Sequence, residues 1–355
     1  MLTRDEILGW LRQEQEAELE KLWAQADMVR RQNVGDEVHL RGLIELSNHC
    51  RRNCLYCGIR RDHAALSRYR MSRQEVLACV DQAVTMGYGT VVLQAGEDPV
   101  LSGPWVAELV GEIKSRTNLA VTLSLGERGQ AEYALWRQAG ADRYLLRFET
   151  SSPALFERIH PSLPGVKSDR VAILGRLREL GYEIGSGVMI GIPGQTYDDL
   201  ASDIMLFAEL ELDMIGVGPY IPHPETPLGN ETATGPQQPP ASELMTYKMV
   251  ALARLACPRA NIPSTTALAT LNLQQGRELG LQRGANIVMP NLTPVQYRSL
   301  YEIYPAKACI RETAAQCHGC LRGRIESIGR TTGTGRGDSP RRRQDAPTAP
   351  EPQKQ

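Results

Sequence analysis

"RQEVLACVDQAVTMGYGTVVLQAG" occupies residues 73–96, and its reading decides the architecture. Residues 73–88 carry the apolar period of a helix, and "TVVLQAG" (90–96) is an apolar β run. An earlier β run, "VHLRGLIELS" (38–47), precedes them. Strand, helix, strand in that order implies two parallel strands joined by a crossover. The unit then repeats. Helical patterns at 104–117, 129–140, 170–182, 197–211, 243–256 and 277–285 lead to β runs at 119–126, 143–150, 183–192, 214–220, 260–270 and 286–291. Eight strand candidates within about 255 residues predict an α/β fold of the closed (β/α)8 TIM type, with an open doubly wound sheet as the alternative. No G-x-G-x-x-G follows the first strand, which weakens the dinucleotide-binding version of that alternative.

The domain reading follows. Residues 1–37 form an N-terminal helical segment, with 2–32 expected as one amphipathic helix, and 38–294 form the barrel. Residues 295–330 are a C-terminal extension, and 331–355, rich in Pro, Gly and charge, are expected to be a disordered tail. A formal net charge of -1 implies no general attraction to nucleic acid. There is no apolar leader and no run of about 18 apolar residues, so neither secretion nor a membrane span is expected. The expected compartment is the cytoplasm, where thiols stay reduced.

Six of the eight cysteines fall into two groups, Cys50, Cys54, Cys57 and Cys309, Cys317, Cys320. In a reducing compartment such clusters read as metal ligands. Cys79 and Cys257, isolated in helical patterns, read as small buried side chains. The first group follows strand one, at the end of the barrel where functional groups collect. Three thiols in one loop suit a 4Fe-4S cube with one iron left open, while His49 or His63 would be needed to complete a zinc site.

Polar residues around the same barrel end add to the pattern. "RYLLRFET" (143–150) sets Arg143, Arg147 and Glu149 on one alternating face, where they either bind something polar or form an internal ion pair. Gln94 precedes the turn with Gly96 and Glu97, and Thr122 and Ser124 alternate on strand three. Thr265 and Thr266 are adjacent on the seventh run, so a bulge would be needed to present both inward. Met289 reads as core or as a ligand contact; Tyr301 and Tyr304 either lid the cavity or sit on an exposed face.

C-x3-C-x2-C with Tyr56 before the last cysteine resembles the radical S-adenosylmethionine (SAM) superfamily. "SNHCRRNCLYCGIR", "LQAGEDP", "YLLRFETSSP", "MIGIPGQT", "GVGPYIPHPETPL" and "NIPSTTALAT" narrow it to the subgroup of biotin synthase, methylornithine synthase and the FeFe-hydrogenase maturase HydE. "GANIVMPN" and the C-terminal C-x7-C-x2-C make the HydE family the nearest resemblance. No strand candidate contains a cysteine, whereas biotin synthases carry them inside barrel strands. The resemblance implies a 4Fe-4S cluster on Cys50, Cys54 and Cys57. Its reduction would cleave SAM to a 5′-deoxyadenosyl radical, acting on a small anionic, cysteine-bound iron carbonyl–cyanide precursor in assembly of the hydrogenase H-cluster.

The resemblance also assigns cofactor-binding roles to Tyr56, Gly96, Glu97, Glu149, Arg170 and Met289. Ala95 stands where the family's first motif glycine would be. Arg170, on sequence alone, reads equally as a solvated helix residue. Gln94, Thr122, Ser124, Arg143, Arg147, Thr265, Thr266, Tyr301 and Tyr304 are assigned to the substrate cavity. Cys309, Cys317 and Cys320 would hold an auxiliary 2Fe-2S or 4Fe-4S cluster, with His318 the nearest fourth ligand. Implied partners are other hydrogenase maturases and an electron donor such as flavodoxin or ferredoxin. The alternatives are a mutase or sulfur-inserting enzyme of the same subgroup, or a non-catalytic iron–sulfur scaffold.

Overall fold

β1 (Glu37–Ser47) lies parallel to β2 (Thr90–Ala95), with Arg41 opposite Thr90 and Glu45 opposite Gln94. The structure, a computed structural model, describes residues 2–232 and 235–341. Between these strands runs the helix Arg73–Thr85, started by a capping box between Ser72 and Glu75. β3 (Ala120–Ser124), β4 (Arg143–Leu145), β5 (Glu183–Ile190) and β6 (Met214–Pro219) add in turn, and β7 (Ile287–Val288) joins the other side of β1. The order is β6-β5-β4-β3-β2-β1-β7, every pair parallel, with helices between successive strands. Val91, Leu93, Val121, Leu123, Ile184, Val188, Ile215 and Val217 are fully buried, as expected where a parallel sheet is covered on both faces.

The run 260–270 is not a regular strand. Asn261 and Pro263 make single bridges to Met214 and Ile287. The Asn261 amide donates to Asp213 O (2.8 Å) and the Ser264 amide to Ile287 O (2.9 Å), so this short stretch links β6 to β7 and completes the wall. Thr265 then caps a helix, Thr266–Leu271, its hydroxyl accepting from the Leu268 amide at 3.3 Å. The expected strand 143–150 likewise stops at Leu145; Glu149 takes a φ of 63°, which a strand cannot contain. The N-terminal segment is two helices, Arg4–Arg12 and Glu16–Val34, rather than one. Gln13 Oε1 accepts from the amides of Glu14 and Gln15, both at 2.9 Å, and so competes with continued helix.

The tail differs most from expectation. Thr331–Thr332 form β8, which pairs parallel with Glu37–Val38 of β1. The turn that follows closes the barrel floor: Arg336 O accepts from Thr90 Oγ1 (2.8 Å) and Arg143 Nη2 (3.1 Å), and Gly337 O accepts from Arg41 Nη2 (3.0 Å) and Asn261 Nδ2 (3.1 Å). Gly337 is required there, with φ 59° and the His39 ring 2.8 Å from where a Cβ would sit. This segment is held by its carbonyls rather than by apolar side chains. Composition therefore misjudged it. The remainder of the expected tail, 342–355, lies outside the described residues. Among the described residues no helix is long and apolar enough to cross a membrane.

Candidate active site at the barrel mouth

The C-terminal strand ends surround a cavity of about 340 Å³. β1 delivers the cysteine loop to it through a register shift between Glu45 and Ser47. Main-chain bonds pin the loop: the Arg51 amide donates to Glu97 O (3.0 Å), that of Leu55 to Ile159 O (2.8 Å) and that of Gly58 to Ile303 O (3.0 Å). Arg68 staples it from within, donating to the carbonyls of Asn48, Ile59 and Arg60. Cys50, Cys54 and Cys57 all face the cavity, with Tyr56 beside them. Burial raises all three thiols above their ordinary range. Cys50 and Cys57 raise Cys54 further, and Cys57 is pushed up to about 12. Three such thiolates, one buried and two half-buried, are stable together only around positive charge, so the donor set fits an iron cluster.

Gly96 follows β2 at the point of closest approach. A Cβ there would lie 2.3 Å from His49 O and 2.8 Å from Cys50 Cβ, so the cysteine loop sits directly on this backbone. Glu97 turns into a buried ion network. It meets Arg52 Nε at 2.6 Å, and Arg52 Nη2 reaches Glu127 at 2.8 Å. Arg170, at the first position of the helix Arg170–Glu179, is no solvated helix residue. Its Nε donates to Glu127 (2.9 Å) and its Nη1 to Arg147 O (2.5 Å). Burial pulls Glu127 upward, but the Arg170 charge and the hydrogen bonds from Ser168 and Arg170 hold it below the usual carboxylate range. Glu97, Glu127 and His160 bring ligand atoms within 4.8 Å of one another. Arg52 bridges the two carboxylates, which makes the group an ion network rather than a cation site.

Arg147 and Glu149 pair at 3.0 Å on the cavity wall. The left-handed turn at Glu149, where its amide bonds Gly187 O (3.0 Å), brings the carboxylate to the mouth. Gln94 donates to the Tyr301 hydroxyl at 3.2 Å, and Tyr301 is buried rather than on an exposed face. Ser124, Tyr304 and Met289 line the same space. Thr265 and Thr266 both reach it, through the helix cap rather than a bulge.

Two expected cavity residues lie elsewhere. Arg143 is bound to Glu183 (2.6 Å), Thr90 and Asp338 on the barrel floor, and Thr122 sits opposite it in the register. Ser124 is two residues further along β3, about 7 Å at the rise of a strand, and Arg147 lies beyond the end of β4, which separates floor from mouth. Several residues escaped the sequence reading. Glu45, fully buried on β1, pairs with Lys307 of the C-terminal extension and accepts from Asn291 Nδ2 at 2.9 Å. A charged residue inside the first β run was a visible signal; Lys307 had none. Glu127, Arg52 and His160 were also missed, being scattered in loops.

In the second group, Cys309 and Cys317 face one another, and Cys317 and Cys320 lie on the helix Ala314–Ser327. The Cys317 thiol, opposed by burial and aided by Arg277, lowers Cys309 to about 6. Cys320 is exposed. His318, the expected fourth ligand, is instead 3.1 Å from the Tyr88 hydroxyl. Its neighbour in a helix points about 100° away, so it cannot share the cysteines' face.

The radical SAM superfamily profile matches residues 44–207, from β1 through the cysteine loop into the fifth β/α unit. The [FeFe] hydrogenase maturase subunit HydE of Thermotoga maritima is 48% identical over 314 residues, covering 88% of this chain and 87% of that protein. A 3-methylornithine synthase of Methanosarcina acetivorans is 29% identical over 81% of this chain and 79% of its own. The crystal structure of a methylornithine synthase superposes with a TM-score of 0.79 over 94% of each chain at 23% identity, a likeness of fold. An identity near one half, sustained across almost the whole of both proteins and through the cysteine loop, makes this chain an enzyme of the radical SAM superfamily, in its HydE family.

Proposed function

We propose that this enzyme acts in maturation of [FeFe]-hydrogenase, cleaving SAM reductively and directing the 5′-deoxyadenosyl radical onto a small, cysteine-bound iron carbonyl–cyanide precursor. The observation that carries this reading is the 48% identity to HydE across 87% of that protein. The cavity supports it in character: it is small, and it sets two ion pairs, Arg147–Glu149 and Lys307–Glu45, beside the Gln94 amide and the hydroxyls of Ser124, Thr265 and Tyr304, which suits a small polar ligand. When bound, a 4Fe-4S cluster on Cys50, Cys54 and Cys57 supplies the electron and an open iron for the methionine group.

The chain's own residues do the rest. Gly96 lets the main chain approach the SAM amino group, and Glu149 accepts from the ribose hydroxyls. Arg170 offers positive charge to the SAM carboxylate, and Met289 packs against the adenosyl group. Gln94, Ser124, Arg147, Thr265, Thr266, Tyr301 and Tyr304 orient the substrate. Cys309, Cys317 and Cys320 form an auxiliary 2Fe-2S or 4Fe-4S site. A flavodoxin or ferredoxin supplies electrons, and other maturases deliver and receive the iron complex in the cytoplasm.

The test is anaerobic. Protein reconstituted with iron and sulfide should form 5′-deoxyadenosine from SAM and restore hydrogenase activity in an extract that lacks only HydE. Turnover of lysine or dethiobiotin in place of maturation would move the chain to a related mutase or sulfur-inserting activity. Iron retention without SAM binding would reduce it to a scaffold.

A further inference from the structure

We infer that His160 is a positioning residue for the cluster site, donating a hydrogen bond from Nδ1–H to the Cys54 sulfur and thereby raising the reduction potential of the bound cluster. His160 follows the helix Pro153–Ile159, where its amide bonds Phe156 O (2.8 Å) and its ring stacks on Phe156 at 5.0 Å. It is 1% exposed. Its Nδ1 lies 2.9 Å from Cys54 Sγ and 3.5 Å from Arg170 Nη2. Its Nε2 lies 3.1 Å from Arg170 Nη2 and 3.2 Å from Glu127 Oε1.

The tautomer follows from counting lone pairs. Glu127 Oε1 already accepts from Ser168 Oγ (2.5 Å) and Arg170 Nε (2.9 Å), and its partner oxygen takes Arg52 Nη2 (2.8 Å). A carboxylate oxygen has two lone pairs, so Oε1 is filled. Arg170 Nη2, a donor only, then finds its acceptor in His160 Nε2. The ring proton is left on Nδ1, aimed at sulfur.

A donor on a cluster sulfur stabilises the more negative, reduced state, and hydrogen bonds to sulfur are among the levers that set such potentials. The effect is largest at the most buried ligand, which is Cys54. Through Arg170, whose Nη1 holds Arg147 O at 2.5 Å, the same chain of bonds reaches the Arg147–Glu149 pair. The cluster ligand and the expected SAM site are thus fixed by one network.

The inference rests on the reading that Cys50, Cys54 and Cys57 hold the cluster, and the test separates the two. Wild type, His160→Leu and His160→Asn are reconstituted, and iron, sulfide and the EPR signal of the reduced state are measured. The midpoint potential is then taken by dye-mediated titration without SAM. The Leu variant should shift to more negative potential with cluster content unchanged. The Asn variant, whose Nδ2–H stands near the position of Nδ1–H, should return toward wild type. An intact cluster at wild-type potential in the Leu variant, or equal shifts in both, overturns the inference alone. Wild type without a cluster on these cysteines overturns the underlying reading. Should the Leu variant fail to fold, wild type labelled with ¹⁵N-histidine decides. Pulsed EPR of its reduced cluster should show a weak ¹⁵N coupling, and its absence overturns the inference.

Discussion

Replacing Glu149 with Gln keeps the shape of the side chain and removes its charge. The Arg147–Glu149 contact is 3.0 Å, but Arg147 is 31% exposed, so water screens the pair and its loss costs fold stability about 1 kcal/mol or less. The proposed ribose contact is worth more. A hydrogen bond to a charged acceptor contributes about 1.5–3 kcal/mol, which corresponds to roughly a 10- to 150-fold loss of SAM affinity. Gln tolerates the left-handed φ of 63° no better or worse than Glu, so backbone effects cancel in the comparison. Glu149→Gly relaxes that backbone by about 1 kcal/mol, but the lost contact and glycine's greater chain entropy offset this, so its stability should change little while it binds SAM at least as poorly. The assay is equilibrium binding of SAM to cluster-loaded protein under anaerobic conditions, with iron counted in parallel. Unchanged affinity in Glu149→Gln with full iron content would refute the ribose assignment and leave Glu149 as the counter-ion of Arg147.

Cys54→Ala should abolish 5′-deoxyadenosine formation and the EPR signal of the reduced 4Fe-4S cluster; product at the wild-type rate would sink the cluster assignment. The triple variant Cys309→Ala, Cys317→Ala, Cys320→Ala should lose iron yet still cleave SAM and support maturation, and a collapse of maturation with the fold intact would make the second site a relay or docking point. Asp203 is fully buried, with Oδ1 on the Ser151 amide (2.6 Å) and Oδ2 without a hydrogen-bond partner; burial, with Asp199 and Glu149 adding to it, lifts it to about 7. A carboxyl raised above its ordinary 3.8 withdraws stability as pH climbs from about 4 to about 7, because the folded state holds the extra proton. Asp203→Asn should therefore melt higher than wild type at pH 8.5, with the gap narrowing at pH 6; a gap independent of pH would contradict the assignment.

The strand–helix alternation was legible because apolar runs buried on both faces leave continuous Val, Leu and Ile in the sequence. The cysteine loop was legible because three thiols at that spacing have few other uses. The fourth and seventh runs were misread for physical reasons. "RYLLRFET" has the alternation of a strand, yet Glu149 bends out of it, and alternation carries no information on φ. "STTALAT" hides a helix start, where Thr265 acts as a cap rather than as a strand residue. Arg143 and Thr122 share the inward face with Arg147 and Ser124, but period two does not say how deep along the barrel a residue lies. Glu127, His160 and Arg170 assemble from two separate loops and a helix start, and such a network exists only after folding.

The barrel floor ties the order of synthesis to the order of folding. β1 leaves the ribosome long before its partners: Glu37 and Val38 wait for Thr331 and Thr332, and Arg41 waits for the carbonyl of Gly337. Arg143 likewise meets the carbonyl of Arg336 and the Asp338 carboxylate only once that later segment has emerged. During that interval two guanidiniums that end in the interior stay hydrated, and the underside of the wall stays open. Two of the three main-chain clasps of the cysteine loop, to Glu97 and Ile159, are translated far earlier, and only that of Gly58 to Ile303 comes late. The nascent chain can thus assemble much of its thiol-bearing rim while its base is still unsealed, and emergence of residues 331–338 is the event that locks the base.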